Sequence, residues 1–443
     1  MDSLDIFHNP KRIPSDPFTK KSKSSWYDYY AGYSPDFVQD VLTYLNLDDN
    51  AVILDPWNGS GTTTQVAEDI GYFAVGYDIN PVMVIVAKAR RLDPGVFASL
   101  SSLCNDLLNK AAAYQSSLDL NDEPLEAWLT NKSAVFMRNI ERAIQQILVG
   151  GQEYHLLYNE QSLDLISTLA AFFYTALFRT LRKTLAPFWS SNPTWIVTPQ
   201  KEQRLDSSLT EIHSLFKQEV RDMAQVLDGL SSKEIRLLNS LGRSRLDVAT
   251  STNLPLRDNS VDAVISSPPY CTRIDYAIAT KPELAILGCG TQNDLRALRE
   301  RMIGSPIIAK QIPDIQIGWG ESCLTFLEAV HNHPSKASST YYYKNLLQYF
   351  DLIFCSFNEI NRTLSYGKHC ALVAQSSYYK DVLVDLPTIF IEMGDSIGWR
   401  LSNRSDFVVK HGMVDANHIA KKNRNSAKVT ESVLLFSKVG KED

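Results

Sequence analysis

The chain has 443 residues, an ordinary apolar fraction of 44% and a formal net charge of −6. Its length fits a core domain with large insertions, and its apolar stretches fall short of the roughly 20 residues that a membrane-spanning helix needs. It has no signal-like start, and its six cysteines form no Cys-x-x-Cys pair. We therefore expect a cytoplasmic protein that has neither a disulfide framework nor a metal site.

The first predicted elements are a helix and a short strand that ends in a glycine-rich turn. The dipeptide Ser34-Pro35 is typical of the N-cap and first position of a helix. Residues 51–54 form an apolar run that predicts a buried strand. Gly59 and Gly61 then allow a sharp turn, and a helix predicted over residues 63–70 directs its first amide groups towards that turn. This arrangement predicts a cradle for a ligand with a negative group, such as a carboxylate.

A second strand is predicted over residues 73–77 and ends at Asp78. In doubly wound folds an acid at this strand end binds ribose hydroxyls, so the spacing predicts a nucleoside. The first turn has neither a Gly-x-Gly-x-x-Gly nor a Gly-x-x-x-x-Gly-Lys-Ser/Thr pattern, which disfavours nicotinamide and nucleoside triphosphate cofactors. A helix is predicted next, over residues 82–91.

The core is predicted to be interrupted after this helix. Residues 92–242 show helical periodicity and few strand signals, which predicts a helical insertion subdomain. The next core strand is expected at about residue 244 and contains Asp247. We therefore divide the chain into a lead-in with the first half of the core at 1–91, the insertion at 92–242, and the second half of the core at 243–443.

The most informative motif follows a strand predicted over residues 261–265. The tetrapeptide Ser267-Pro268-Pro269-Tyr270 places a hydroxyl, two prolines and an aromatic ring at one strand end. Because proline has a fixed φ and no N–H, the neighbouring carbonyls can be held facing outward as acceptors for the protons of an amino group. The Tyr270 ring offers a face on which a flat base, swung out of a duplex, can stack. For these four residues alone, a tight turn with a packed tyrosine is an equally good interpretation.

The remaining core elements follow a second interruption, at about 283–340, in which the periodicity is poor. Beyond this interruption the pattern predicts strands over 369–375, 399–410 and 431–438, with a helix over 386–398 between the first two.

Three blocks of this sequence resemble the amino-group DNA methyltransferases. They are Asp55-Pro56-Trp57-Asn58-Gly59-Ser60-Gly61-Thr62, Gly76-Tyr77-Asp78-Ile79-Asn80-Pro81 and Ser267-Pro268-Pro269-Tyr270. The resemblance implies an α/β, Rossmann-like fold for S-adenosylmethionine-dependent methyl transfer, with a mostly parallel, doubly wound sheet and an antiparallel last strand. It assigns catalysis to Ser267, Pro268, Pro269 and Tyr270, and cofactor binding to Asp55, Pro56, Asn58, Gly59, Ser60, Gly61, Thr62, Asp78 and Asn80. A looser match, in which Leu246 replaces the usual glycine, adds Asp247 as a contact of the adenine amino group.

Basic clusters are the candidates for contacts with double-stranded DNA, although a solvated surface is the default interpretation of any one of them. The candidates are Lys23 with its neighbours, the group of Arg179, Arg182 and Lys183, and a C-terminal run that includes Lys421, Lys422 and Arg424. In the fold that the resemblance implies, the last strand runs in the opposite direction, so the loop 411–430 is expected over the active-site face. Target recognition is expected in one of the two insertions.

The choice of base depends on the first residue of the tetrapeptide. By the resemblance, a serine such as Ser267 is associated mainly with cytosine N4, and aspartate or asparagine with adenine N6. We therefore predict a cytosine-N4-specific DNA methyltransferase of a restriction–modification or phage-defence system, with adenine N6 as the alternative. An RNA amine substrate, or a catalytically silent nucleic-acid-binding protein, is a further alternative. Whether a cognate restriction endonuclease acts with the protein is left open by the sequence.

Overall fold

The computed structural model describes residues 7–11, 22–28, 32–114, 123–150, 154–159, 162–190, 195–228, 243–271, 275–290, 292–408 and 429–440. Its strands are β1 Val52–Asp55, β2 Phe73–Asp78, β3 Ser244–Val248, β4 Val261–Ser266, β5 Leu364–Gln375, β6 Ser377–Tyr379, β7 Val382–Val384, β8 Trp399–Val408 and β9 Thr430–Lys438. Its α-helices are α1 Pro35–Leu45, α2 Thr62–Ile70, α3 Pro81–Ala89, α4 Phe97–Ala113, α5 Asn131–Ile144, α6 Thr168–Thr184, α7 Leu209–Asp228, α8 Tyr276–Ala279, α9 Lys281–Leu287, α10 Gln292–Arg301, α11 Glu321–His331, α12 Tyr343–Thr363 and α13 Leu386–Ser396.

The main sheet has the strand order β3-β2-β1-β4-β5-β9-β8. Neighbours from β3 to β5 are parallel, and β9 is antiparallel to both β5 and β8. Parallel strands end at the same edge of a sheet, and the strand order reverses between β1 and β4, where open α/β sheets bind their ligands. The predicted Rossmann-like fold, mostly parallel with an antiparallel last strand, is confirmed.

Helices cover both faces of this sheet, because successive strand residues point to opposite sides. Ile53 and Ala263 pack in a core with α1 and α2. Their neighbours Leu54 and Val264 pack in a core with α11, α12 and α13. Burial on both faces accounts for the nearly continuous apolar runs of the central strands.

Several helices begin with a capping side chain on the residue just before their first turn. Ser34 accepts a hydrogen bond from the Phe37 amide at 3.2 Å, and Pro35 is the first residue of α1. Asn80 caps α3 by accepting from the Val82 amide at 3.1 Å. Each cap pairs an amide group that has no acceptor within its own helix.

Helices α4 to α7 form a further core together with α3 and α9. Every residue of α3 is buried, because this helix packs against β2 and β3 as well as against α6. Helix α9 follows the Ser-Pro-Pro-Tyr motif in sequence, yet it packs with helices of the predicted insertion. The division at residues 92 and 242 stays a prediction, and residues 229–242 lie outside the described residues.

Buried charges join α9 to this helical core. Arg138 donates to the carbonyls of Ala285, at 2.9 Å, and of Ile286. Its guanidinium also pairs with Glu123 at 2.9 Å and Glu141 at 3.3 Å. The Arg138 side chain is 3% exposed, so these partners compensate for taking its charge out of water.

The structure contains elements that the sequence pattern does not predict. The stretch 283–340, with its poor periodicity, contains α10 and α11. Half of the residues of α10 are charged, and within this helix Leu295 and Leu298 make the apolar contacts with the helical core, which is too few for a clear helical periodicity. The strands β6 and β7 form a two-stranded hairpin, and each is three residues long, which is too short for an alternating pattern to be recognised. None of the described helices is long and apolar enough to cross a membrane.

Replacing Arg138 with methionine should lower the free energy of unfolding by about 3–5 kcal/mol, because the substitution leaves Glu141 buried without its cationic partner. The matched control is Arg296→Met, which removes a surface pair with Glu300 and should cost no more than about 0.5 kcal/mol. Urea unfolding followed by circular dichroism measures both variants. Equal midpoints for the two variants would contradict this role of Arg138.

Candidate active site at the carboxyl edge of the sheet

The glycine turn and the Ser-Pro-Pro-Tyr motif follow neighbouring strands. The turn follows β1 and the motif follows β4, and these two strands pair through Ile53–Ala263 and Leu54–Val264. Both motifs therefore lie at the same edge of the sheet. The sequence-based prediction that these distant segments meet is consistent with this pairing.

Two glycines shape the turn after β1. Gly59 has a φ of 47° and Gly61 a φ of 85°, both in the left-handed region that favours glycine. Gly61 is the N-cap of α2 and contributes no side-chain cap, so the first amide groups of α2 lack a side-chain acceptor at this position. Such an N-terminus is suited to binding a carboxylate.

The turn is held against β2 by Asn58. The Asn58 amide donates to the Tyr77 carbonyl at 2.9 Å, and its side-chain oxygen accepts from Thr64 Oγ1 at 3.0 Å. A Cβ on Gly76 would lie 2.5 Å from Asn58 Cγ and 2.8 Å from Leu246 Cδ2. Gly76 therefore allows the Asn58 side chain to lie directly on β2.

Asp78 links the end of β2 to the same turn. One carboxylate oxygen accepts from the Gly59 amide at 2.9 Å, and the other accepts from the Asn80 amide at 2.8 Å. Burial raises the pKa of Asp78 to about 6, although these two hydrogen bonds act in the opposite direction. Asn80 Nδ2 in turn donates to Thr280 Oγ1 at 2.8 Å, which connects this strand end to the segment after the tetrapeptide.

Asp55 is a buried junction between the two motifs. It is 1% exposed, and its carboxylate accepts from Ser266 Oγ at 2.5 Å, Tyr33 Oη at 3.0 Å and the Trp57 amide at 3.1 Å. Burial raises the pKa of Asp55, and these hydrogen bonds oppose that shift. The side chain therefore joins β1, β4 and the N-terminal segment, and its predicted contact with a cofactor stays a prediction.

Arg90 supports the turn from behind. It is 1% exposed, and its Nη1 donates to the Ser60 carbonyl at 2.7 Å and to Ser60 Oγ at 2.8 Å. Its Nη2 donates to the Ser24 carbonyl at 2.9 Å. The other predicted turn residues lie between these contacts, with Pro56 and Ser60 buried and Thr62, the first residue of α2, half-buried.

Asp247 lies at the end of β3 but contacts the helical core. Its oxygens accept from Ser162 Oγ at 2.7 Å and from the amides of Leu163 and Val248, each at 2.8 Å. Lys88 fixes the same loop by donating to the Leu163 carbonyl at 2.5 Å. The predicted contact between Asp247 and an adenine amino group stays a prediction, and it would have to coexist with three donors already present.

The tetrapeptide is partly buried against β5 and α12. Ser267 Oγ donates to the Val373 carbonyl at 3.4 Å, and Tyr349 Oη donates to the Pro269 carbonyl at 2.8 Å. Pro268 is buried, whereas the other three residues are half-buried. Because the Ser267 proton points to Val373, the oxygen lone pairs remain for an external donor.

The basic clusters have different positions. Lys23 is 4% exposed and donates to the Leu92 carbonyl at 2.6 Å, and burial lowers its pKa to about 8. Arg179 and Lys183 pair with Glu219, and Arg182 pairs with Glu283. Lys23 and the second cluster are thus engaged within the protein, and Lys20 and Lys21 lie outside the described residues. The C-terminal candidates Lys421, Lys422 and Arg424 lie outside the described residues.

Three contributors to this site are not identified from the sequence. They are Tyr33, Ser266 and Tyr349, whose hydroxyl groups bind Asp55 or the tetrapeptide. Ser266 is the one with a local cue, because it is a fully buried polar residue in an apolar strand. In the described residues no cluster of acidic, histidine or cysteine side chains is arranged to hold a metal ion.

No family model matches the chain, but its sequence is similar to Type II methyltransferases of two names, M.BsoBI and M.AvaI. The Type II methyltransferase M.BsoBI of Geobacillus stearothermophilus is 25% identical over 311 residues, which cover 68% of this chain and 59% of the relative. The Type II methyltransferase M.AvaI of Nostoc sp. is 23% identical over 401 residues, 86% of this chain and 80% of the relative, and M.AvaI of Anabaena variabilis matches to the same extent. This chain thus spans less than two thirds of the length of M.BsoBI.

Substituting alanine for Gly76 should lower the free energy of unfolding by about 1–3 kcal/mol, because the new Cβ overlaps Asn58 and Leu246. Gly440→Ala is the control, since a Cβ there meets nothing within 4 Å and should leave stability nearly unchanged. Thermal unfolding of both variants checks this expectation. A Gly76→Ala protein as stable as the unchanged one would mean that Asn58 does not need to lie on β2.

Proposed function

We propose that this protein is a DNA methyltransferase that transfers a methyl group from S-adenosylmethionine to the exocyclic N4 amine of cytosine in double-stranded DNA. The observation that carries the proposal is the junction at Asp55. Through Ser266, this side chain holds the end of β4 against the end of β1, so that a glycine turn and an amine-accepting tetrapeptide share one edge. The similarity to two Type II methyltransferases supports methyl transfer to DNA as the general activity.

The residues around the turn fit S-adenosylmethionine. The uncapped first turn of α2 suits the carboxylate of its methionine part, and Asp78 is an acceptor for its ribose hydroxyls. Trp57 Nε1 is a buried donor that lacks a hydrogen-bond partner within the described residues, which is a feature expected beside a polar ligand. When bound, the cofactor supplies an electrophilic methyl group on sulfur.

The tetrapeptide supplies acceptors for an amine. An exocyclic amine is a poor nucleophile because its lone pair is delocalised into the ring. Ser267 Oγ, whose own O–H donates to the Val373 carbonyl, and the Pro268 carbonyl each accept a hydrogen bond from one N–H of the amine. The nitrogen lone pair then points away from the ring plane towards the methyl group, and orientation of this kind accounts for much of the rate in such transfers. As the bond from nitrogen to the methyl carbon forms, the bond from that carbon to sulfur would break, and the methylated amine would release its extra proton to water.

Stacking and direct transfer complete the mechanism. The half-buried Tyr270 ring is the face for the extruded base. Methylation at ring carbon would need a cysteine nucleophile. The adjacent Cys271 is 9% exposed and follows the tetrapeptide instead of occupying it, so we infer direct transfer to nitrogen.

The serine at position 267 favours cytosine N4 as the acceptor, by resemblance to enzymes of this group. Lys421, Lys422 and Arg424 remain the proposed phosphate contacts. Restriction–modification or phage defence is the proposed biological role, in which a cognate endonuclease would be the partner. Because DNA and S-adenosylmethionine meet in the cytoplasm, this is the proposed location of the activity.

The affinity for S-adenosylmethionine should fall as the pH is lowered through about 6. Above this pH Asp78 is ionised and accepts hydrogen bonds from the ribose, and below it the carboxyl group is protonated. At one pH unit below the pKa about a tenth of the protein is competent, so the dissociation constant should rise about tenfold. Isothermal titration calorimetry between pH 5 and 7.5 measures this. The Asp78→Asn variant should bind weakly with no such pH dependence, and an unchanged pH profile would exclude Asp78 as the titrating group.

Methyl transfer is tested by incubating the protein with labelled S-adenosylmethionine and unmethylated duplex DNA, digesting the DNA to nucleosides and identifying the labelled product. We expect N4-methylcytosine, and Ser267→Ala should reduce its formation at least about a hundredfold, because an acceptor at the reacting nitrogen is lost. Ser365→Ala, a surface serine bonded to the Asn259 carbonyl, is the control and should remain active. Labelled N6-methyladenine would show that adenine N6, and not cytosine N4, is the acceptor. Tight DNA binding without any labelled product would indicate a catalytically silent DNA-binding protein.

A further inference from the structure

One face of α12 contacts both the catalytic turn and the segment beside it. Tyr349 is 3% exposed, and its hydroxyl donates to the Pro269 carbonyl at 2.8 Å. On the same helix, Asn345 Nδ2 donates to the Ser305 carbonyl at 2.8 Å. Gln348 accepts from the Ala309 amide at 2.9 Å. These contacts fix residues 305–309 and the tetrapeptide to a single helix.

The fixed segment also packs directly on the tetrapeptide. Gly304 has a φ of 80°, and a Cβ at this position would lie 2.8 Å from the Tyr270 carbonyl oxygen. Only glycine allows this approach without a shift of the turn. The tetrapeptide is thus held by Tyr349 at Pro269 and by Gly304 at Tyr270.

A turn with two consecutive prolines depends on donors from outside. Pro268 and Pro269 have no N–H, so neither residue can donate a hydrogen bond to fix the turn. Tyr349 supplies the donor for the Pro269 carbonyl. Within the part of the chain that the structure describes, no donor is assigned to the Pro268 carbonyl. The two proline carbonyls therefore differ, since one is bound within the protein and the other remains for a ligand.

We propose that Tyr349 is a positioning residue for methyl transfer, which fixes the tetrapeptide so that the Pro268 carbonyl and Ser267 Oγ face the target amine. This inference rests on the proposed function and extends it to a residue that does not touch the substrate. Burial raises the pKa of Tyr349 well above the ordinary value of a phenol, which keeps its hydroxyl protonated and able to donate.

The test is the Tyr349→Phe variant, which removes one hydroxyl and keeps the ring that packs in the core. In single-turnover reactions with labelled S-adenosylmethionine and unmethylated duplex DNA, we expect the rate of transfer to fall about tenfold, since a small misplacement of reacting groups reduces rate strongly. The dissociation constant for the cofactor and the KM for DNA should stay within about twofold of those of the unchanged protein, because Tyr349 touches neither substrate. The melting temperature should change by no more than a few degrees.

Tyr158→Phe is the matched control. The Tyr158 hydroxyl also donates to a backbone carbonyl, that of Asp294 at 2.8 Å, but this contact lies in the helical core and not in the segment that holds the tetrapeptide. The control should leave the transfer rate unchanged. A Tyr349→Phe protein with the unchanged rate would overturn the proposal. Loss of cofactor affinity or of folding together with the rate would also overturn it, because the hydroxyl would then be structural. If the unchanged protein itself transfers no label, the proposed function fails, which is a different result from either of these.

Discussion

The arrangement of this site depends on a buried carboxylate that bridges two strand ends. Asp55 receives hydrogen bonds from Ser266 on β4 and from Tyr33 in the N-terminal segment. A carboxylate in this position is costly to bury unless its oxygens are paired, so the surrounding donors have to be in place for the protein to fold. The same requirement fixes the distance between the turn after β1 and the tetrapeptide after β4. The contacts that stabilise the buried carboxylate thus also set the relative position of the two motifs on which the proposed function depends.

The parts of the fold and of the site that were predictable from the sequence are those set by residues close together in the chain. The turn at Gly59 and Gly61 and the acid at Asp78 follow apolar strands directly, and short motifs of this kind are set by neighbouring residues. Tyr349 is 80 residues from Pro269, and Ser266 is 211 residues from Asp55. No local pattern marks contacts between such distant residues. The short hairpin of β6 and β7 was unpredictable for a different reason, since strands of three residues are too short to show an alternating pattern.

The helical core shows why the number of basic residues in a sequence segment is a poor guide to what that segment binds. Arg179, Arg182 and Lys183 resemble a basic patch in the sequence, but their partners Glu219 and Glu283 are fully buried acids from other helices. Buried acids of this kind require cations close by. The cationic groups on α6 are therefore accounted for by folding, so the phosphate contacts that the proposed function requires are expected from other parts of the chain.

The reversed direction of β9 has a consequence for divergence among related proteins. Because β8 and β9 are antiparallel, Val408 and Thr430 pair at the same edge that carries the tetrapeptide. A connection anchored at two adjacent points of a rigid frame can change in length at little cost, about 0.6 kcal/mol for each doubling of a flexible loop. Its sequence can therefore be exchanged without altering the register of the frame. Under the proposed function, such exchange would change the target preference and leave the transfer chemistry at the tetrapeptide as it is.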